Sequence, residues 1–297
     1  MLKGVLYQTD ELDVLPYYSQ VSKYLLKFLQ GRELATKTQL PNFQFLKRGS
    51  NSQPLFIKDM KQVNSKMLAL RTKHLEEVRN KLTAKQVLIW QYFVPRKPVN
   101  FFYACNGEKP GKNMDRIFID IDRQTHSSED ARKVCLELVK IIKIDKEFGK
   151  LLKFRIFIMW TGSSFHIYLL LAKKIDNSFY QKYLSYGKKE QSFIEKWAEQ
   201  VATNSGISVK AGHQREKQAI VLDSSNTPSG KLARTPFSLH ISSKGEIDGV
   251  TVPVSEKELE DNKLISKLEK LTPDKVLENV NNYKKLLQHS FIQEKSP

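Results

Sequence analysis

Apolar positions change their spacing along the chain, and the change marks its organisation. Over residues 1–35, Val21, Tyr24, Leu25, Phe28 and Leu29 recur at helical spacing, with Gly31 as a stop. Residues 38–56 carry Pro41, Gly49, Ser50, Asn51, Ser52 and Pro54 and read as loops or short strands. A helical stripe returns over 58–90 through Met60, Val63, Met67, Leu70, Leu75, Val78 and Leu82 as core positions, until Pro95 and Pro98 end it. From Val99 the texture is strand-like: 99–104 predicts a strand, 106–111 a turn-rich connector and 117–122 a further strand. Residues 129–142 form an amphipathic helix with Ala131, Val134, Cys135, Leu138, Ile141 and Ile142 on one face. Residues 155–160 and 165–171 predict a hairpin across Thr161-Gly162-Ser163-Ser164. A helix over 190–203, a strand over 218–222 ending at Asp223, a polar turn to Gly230 and a lysine-rich helical stretch over 259–287 complete the pattern. The expected organisation is a helical, basic region 1–98, a mixed α/β core 99–254 that carries the chemistry, and a helical tail 255–297. There is no internal repeat and no low-complexity tract.

The strand 117–122 changes the picture most. Ile117-Phe118-Ile119-Asp120-Ile121-Asp122 sets two carboxylates two residues apart, and strand side chains alternate faces. Asp120 and Asp122 therefore share one side while Ile119 and Ile121 pack on the other. Carboxylates that close repel unless a positive charge lies between them, and a hard divalent cation with oxygen ligands meets that need. Asp-x-Asp alone also describes a solvated turn or strand end, so the rest of the chain must support the metal.

Composition adds a partner. The 297 residues carry a net charge of +17, and residues 1–100 alone hold 17 Lys/Arg against 7 Asp/Glu. Such a surplus favours a polyanion. No apolar run of about 18 residues, no secretory leader at Met1-Leu2-Lys3-Gly4 and no basic amphipathic membrane helix occur, so nucleic acid is preferred to a membrane. The expected location is cytoplasmic, associated with the nucleoid. The two cysteines, Cys105 and Cys135, supply neither a disulfide framework nor a zinc knuckle, so no structural zinc is expected.

Further polar groups stand where strands end or turn. Ser163 and Ser164 offer hydroxyls and turn amides suited to a phosphate, and His166 opens the next strand. Asp223 closes the apolar run Ala219-Ile220-Val221-Leu222. Lys231, Arg234, Ser238, His240 and Lys244 crowd the stretch 231–245, where cations suit a triphosphate.

Taken in order, Asp120-Ile121-Asp122, Ser164-Phe165-His166 and Val221-Leu222-Asp223 resemble the motifs of the archaeo-eukaryotic primase superfamily. That superfamily includes the catalytic small subunit of DNA primase, primase-polymerases and the polymerase domain of end-joining ligases. Arg234, Pro236-Phe237-Ser238-Leu239-His240 and Lys244-Gly245 resemble a later stretch of primase small subunits, and Asn100-Phe101-Phe102-Tyr103 the strand before the Asp pair. Thr161-Gly162-Ser163-Ser164 departs from the basic residue and glycine that many primases carry before the histidine.

The resemblance implies an α/β fold of the α+β kind: a mixed sheet with a palm like the RNA-recognition motif, flanked by N- and C-terminal helices. It implies template-dependent nucleotidyl transfer with two Mg²⁺ or Mn²⁺ ions, held by Asp120, Asp122 and Asp223. Ser163, Ser164, His166, Arg234, Ser238 and His240, with Lys231 and Lys244, are then expected at the nucleotide. DNA template and nucleoside triphosphates are the implied partners, with a second primase subunit or a repair partner besides. The Ser-Leu-His stretch favours primer synthesis. Gap filling at a DNA end is the alternative, and a non-catalytic DNA-binding subunit or a nucleotide-sugar transferase are the rivals.

Overall fold

The two strands predicted on either side of the connector 106–111 do not pair; each enters its own sheet. The computed structural model describes residues 4–8, 10–213 and 217–289. Its strands are β1 (Tyr7–Gln8), β2 (Glu11–Leu12), β3 (Leu34–Leu40), β4 (Phe43–Arg48), β5 (Val99–Ala104), β6 (Met114–Asp122) and β7 (Phe154–Trp160). There follow β8 (Phe165–Ile175), β9 (Val209–Ala211), β10 (Ile220–Asp223), β11 (Leu232–Arg234), β12 (Leu239–Ile241), β13 (Ile247–Val250) and β14 (Val252–Val254). The larger sheet runs β14-β7-β8-β6-β10-β9 and the smaller β11-β5-β3-β4. The fold is mixed α/β, as the sequence implied. No helix among the described residues is long and apolar enough to cross a membrane.

The chain forms two compact units. One comprises Met1–Ala104, Leu232–Val252 and Leu271–Lys284; the other comprises Cys105–Lys231, Pro253–Lys270 and Lys285–Pro297.

In the first unit the front of the chain is less helical than its periodicity predicts. β3 and β4 pair antiparallel through Pro41-Asn42. Proline presets the first turn position and Asn42 takes a positive φ of 69° at the second, the chemistry of a type II turn. The apolar stripe over 58–90 breaks into short pieces, because Asn64 and Thr83 each start a new helix by accepting a backbone N–H three residues on. The helix Leu15–Leu25 buries Tyr17, Tyr18, Val21 and Leu25. The Tyr18 ring sits 5.2 Å from both Phe93 and Phe101. Its hydroxyl donates to Val99 O at 2.7 Å and accepts Leu239 N–H at 3.0 Å, so a buried polar atom is fully used. Asp13 and Arg71 are both buried: Arg Nε and Nη2 reach the two carboxylate oxygens at 2.5 and 2.8 Å, and Nη2 also donates to Phe93 O at 2.6 Å.

In the second unit the long helix Ser128–Ile144 packs against the helix Phe193–Ser205 and against β6 and β8. Ser127 starts it by accepting Asp130 N–H at 3.0 Å, and its predicted apolar face is buried. Phe148, Phe193 and Trp197 stack edge to face below it, and Trp197 Nε1 donates to Asp145 Oδ2 at 2.8 Å. The β7–β8 hairpin turns on Gly162, whose φ of 104° puts glycine at the first central position of a two-residue loop. Cys105 and Cys135 are both buried.

Candidate active site

Strand register assembles the acidic site. β6 lies between β8 and β10, and Asp120 is opposite His166 on one side and Asp223 on the other. Paired residues project to the same face, so His166, Asp120 and Asp223 form a row across three strands. Asp122, opposite Val221, stands two residues along β6 on that face. The third carboxylate, about a hundred residues away in sequence, thus arrives directly beside the first. Ile117, Ile119 and Ile121 fill the other face and are fully buried.

Each carboxylate has a distinct environment. Asp120, 35% exposed, has Oδ1 3.4 Å from His166 Nε2. His166 is buried edge-on against Phe118 at 4.8 Å, and among the described residues its Nδ1 has no hydrogen-bond partner. Asp122 Oδ1 accepts Gln124 N–H at 3.3 Å. Asp223 is the most committed: Oδ1 accepts Ser225 N–H at 2.7 Å and the Tyr186 hydroxyl at 3.2 Å, and Oδ2 lies 2.8 Å from His213 Nδ1. Burial, and then the nearby charge of Asp223, push the Tyr186 phenol well above its ordinary value, so it stays a donor. Three oxygen-donor side chains on one face suit a hard divalent cation. Among the described residues no group of three or more His, Cys, Asp or Glu side chains is already arranged to hold a metal ion, and both oxygens of Asp223 meet protein partners. The donor chemistry of the three carboxylates fits Mg²⁺ or Mn²⁺.

The remaining expected site residues divide. Ser164 is buried and its hydroxyl donates to Ile121 O, so it ties β8 to the Asp strand. Ser163 lies in the hairpin turn; its carbonyl accepts Arg123 Nε at 2.9 Å and Ser128 Oγ at 3.2 Å. Lys231 is exposed, its carbonyl accepting Cys105 N–H at 2.9 Å. These residues belong to the same unit as the carboxylates. Arg234, Ser238, His240 and Lys244 belong to the other. There Arg234 lies over the Phe102 ring at 5.2 Å and donates to Leu239 O at 3.1 Å. Lys37 covers the same ring at 4.9 Å, and burial, aided by the Arg234 charge, lowers its pKa. His240 Nδ1 pairs with Asp248 Oδ1 at 2.5 Å, and Lys244 is exposed in the turn before β13. Ser238 is buried, accepting Phe101 N–H at 2.9 Å and donating to Leu239 O at 3.2 Å.

None of the curated proteins compared matches the chain. A family model does: that of the LigD primase-polymerase domain, over residues 11–287. The chain belongs to this family. Among solved structures, the polymerase domain from Mycobacterium tuberculosis Ligase D in complex with DNA is similar in fold. The TM-score is 0.57 at 16% sequence identity, over 96% of this chain and 92% of that one. Membership in the primase-polymerase family sets the reaction class as nucleotidyl transfer and bears out the resemblance to the archaeo-eukaryotic primases.

For this LigD-type domain, sequence reading missed Tyr186, His213 and Ser225, which surround Asp223. Their signal was faint. His213 follows β9 and Asp223 ends β10, and the two strands run parallel, so their polar ends coincide. Nothing local to Tyr186 announces its reach across 37 residues. Lys37, which lies over the Phe102 ring, was not singled out either.

Proposed function

We propose that this chain is a template-directed nucleotidyltransferase that extends a DNA 3′ end, of the end-joining, gap-filling type. The observation that carries this reading is the register that sets Asp223 opposite Asp120 with Asp122 alongside. Asp120 and Asp122 would hold two divalent ions, with Asp223 at the one nearer the attacking hydroxyl. Such ions, when bound, lower the pKa of the hydroxyl and neutralise the leaving pyrophosphate. In the reaction the O3′–Pα bond forms, the Pα–O bond to pyrophosphate breaks, and the hydroxyl proton passes to solvent. The chain's own part is position and charge. His166, held against Phe118 and Asp120, and the turn at Ser163 serve the triphosphate. Lys231, in the same unit, supplies a cationic contact, and Ser164 acts from behind through the backbone that its hydroxyl engages. Arg234, His240 and Lys244 are cations of the other unit, where the Ser238 hydroxyl is likewise engaged by backbone.

The family model supports the end-joining reading at least as well as primer synthesis. The stretch 236–240, which suggested priming, has a packing role of its own: Leu239 N–H meets the Tyr18 hydroxyl and Leu239 O accepts Asn100 Nδ2 at 2.9 Å. The decisive experiment compares two templates with Mn²⁺ and both nucleotide types, one gapped with a 3′ hydroxyl and one without primer. Extension of the gapped DNA alone supports the proposal. De novo products restore the primase reading, and inertness on both removes catalysis.

A further inference from the structure

β10 ends at Asp223, yet the edge of β6 that it leaves is still hydrogen-bonded. In an antiparallel ladder the N–H and C=O of alternate residues face the same neighbour, so Arg116, Phe118 and Asp120 each turn a pair of groups toward the β10 side. Asp120 meets Asp223 there. The chain then turns away: Asp223 Oδ1 accepts Ser225 N–H at 2.7 Å and Ser224 O accepts Thr227 N–H at 2.9 Å. Pro228 follows, with no N–H to offer a ladder. Two side chains supply the next rungs in place of a strand. The Thr227 hydroxyl accepts Phe118 N–H at 3.0 Å and donates to Phe118 O at 2.9 Å. The Asn106 carboxamide serves Arg116 in the same way, Oδ1 accepting its N–H at 3.2 Å and Nδ2 donating to its C=O at 2.8 Å. Asn106 Nδ2 also donates to Thr227 O at 2.5 Å, which ties the two rungs together. Thr227 is wholly buried and Asn106 nearly so.

A hydroxyl has one donor and two acceptor sites, so one side chain can close both backbone groups of one residue. The consequence lies at the acids. Phe118 stands two residues before Asp120 on β6, and Thr227 four residues after Asp223 on the chain that leaves β10. The pairing of Val221 with Asp122 closes the ladder on one side of the Asp120–Asp223 pair, and the Thr227 hydroxyl closes it on the other. Two acids on separate strands are thereby held between two fixed rungs. Without the second rung, Asp223 would end a pairing only three residues long. We propose that Thr227 is a positioning residue, which fixes Asp223 against Asp120 through the backbone of β6 and so sets the spacing of the carboxylates that a divalent ion would meet. Asn106 braces it. The inference rests on the nucleotidyl-transfer reading above.

The test compares Thr227→Val, close in shape but without the hydroxyl, with Thr227→Ser, which keeps it. Mn²⁺ is titrated against each folded protein without nucleotide, the free ion being read by electron paramagnetic resonance. Asp120→Asn with Asp122→Asn marks the binding that belongs to the acids. Groups that orient metal ligands typically contribute about ten- to hundredfold in affinity or activity. Thr227→Val is accordingly expected to weaken that Mn²⁺ binding and to lower kcat, each by about tenfold or more, with KM for nucleotide within about twofold. Thr227→Ser should stay within about threefold of the parent in both. Should Thr227→Val not fold, Thr227→Cys, whose thiol is a weak donor and acceptor, is the milder variant and is expected to fall between. A folded Thr227→Val that is less stable but keeps parental Mn²⁺ binding and kcat makes Thr227 structural only and overturns the proposal. Thr227→Ser as impaired as Thr227→Val overturns it too, since the methyl and not the hydroxyl would then matter. Weaker Mn²⁺ binding in Thr227→Val, where the parent itself incorporates no nucleotide on any template, upholds the positioning role and removes the polymerase reading. Mn²⁺ binding unchanged by the double Asp substitution removes both.

Discussion

Asp13 in one unit and Asp120 in the other are both acids set against apolar surroundings, yet their partners differ in kind. Asp13 is buried and gripped by both arms of the Arg71 guanidinium, which also lies over the Trp90 ring at 4.9 Å. That is a closed account: a permanent cation neutralises the acid and a fork satisfies both oxygens. Among the described residues Asp120 has the imidazole of His166 at 3.4 Å, beside two further acids on the same face. Histidine carries a full charge only when protonated. One carboxylate is finished by folding; the other, on the function proposed above, would be completed by a cation from outside, which is the physical difference between a structural and a chemical acid.

The strongest way to break this comparison is to neutralise each kind. Asp120→Asn with Asp122→Asn is expected to cut nucleotide incorporation by about 10³-fold or more, because the donors for both ions are lost. Thermal stability should hold or rise slightly, since two like charges on one face are removed. A melting temperature that collapses with the activity would make these acids structural and the contrast with Asp13 empty. Template binding, read by gel shift, should stay near the parent value.

Asp13→Ala should do the reverse. It leaves the Arg71 charge buried without its partner, a loss of about 3–5 kcal/mol. Urea unfolding measures it, and a loss under about 1 kcal/mol would mean that water reaches Arg71 in the variant. At a permissive temperature the folded fraction should incorporate nucleotide at the parental rate per molecule.

Why Asp120 and Asp122 were legible, and Tyr186 was not, follows from how information lies in a sequence. Period-2 alternation fixes the faces of residues 117–122 without any tertiary knowledge, and the register of β6, β8 and β10 then turned three separate motifs into one row. The helix 128–144 announced itself over 129–142 through its apolar stripe, and the structure adds the Ser127–Asp130 capping box. The hairpin β3–β4 was only half visible, as Leu34–Leu40 mixes apolar and polar residues and pairs through tertiary partners on β5. Ser164 was expected at the nucleotide from its turn and Ser238 from the Pro-x-Ser-Leu-His stretch; both hydroxyls engage backbone in the fold, and such engagement cannot be read from a triplet. Tyr186 and His213 reach Asp223 from loops, where no periodicity operates.

Alkali sharpens the comparison between the units. Burial raises the phenol pKa of Tyr17, Tyr18 and Tyr180. In the unfolded chain these groups ionise near the ordinary value of about 10. Above that pH the unfolded state binds fewer protons than the native one, so stability falls as pH rises toward the folded pKa values, and it is fully retained below about 10. The urea midpoint should drop between about pH 9.5 and 11.5, with tyrosinate absorbance appearing only as the chain unfolds. Tyr17 and Tyr18 are wholly buried in the unit of Asp13, and Tyr180 is slightly exposed in the other. Probes in the first unit should therefore respond more steeply. Tyrosinate signal that grows smoothly in folded protein would contradict the burial.

The smallest effect is the most discriminating for the site itself. Ser164 stands two residues before His166 in the motif, yet its hydroxyl donates to Ile121 O, between Asp120 and Asp122. Ser164→Ala should cost about 1–2 kcal/mol, the value of a buried hydrogen bond whose acceptor is left unsatisfied. KM for nucleotide should stay within about twofold, whereas His166→Ala should raise it by about tenfold, a charge-assisted contact being worth more. Restoring stability to Ser164→Ala with a distant stabilising change should then restore full incorporation. If KM instead rises in step with that of His166→Ala, the hydroxyl leaves Ile121 for the triphosphate when nucleotide binds. The serine would then belong with Asp120, among groups completed from outside, and not with Asp13.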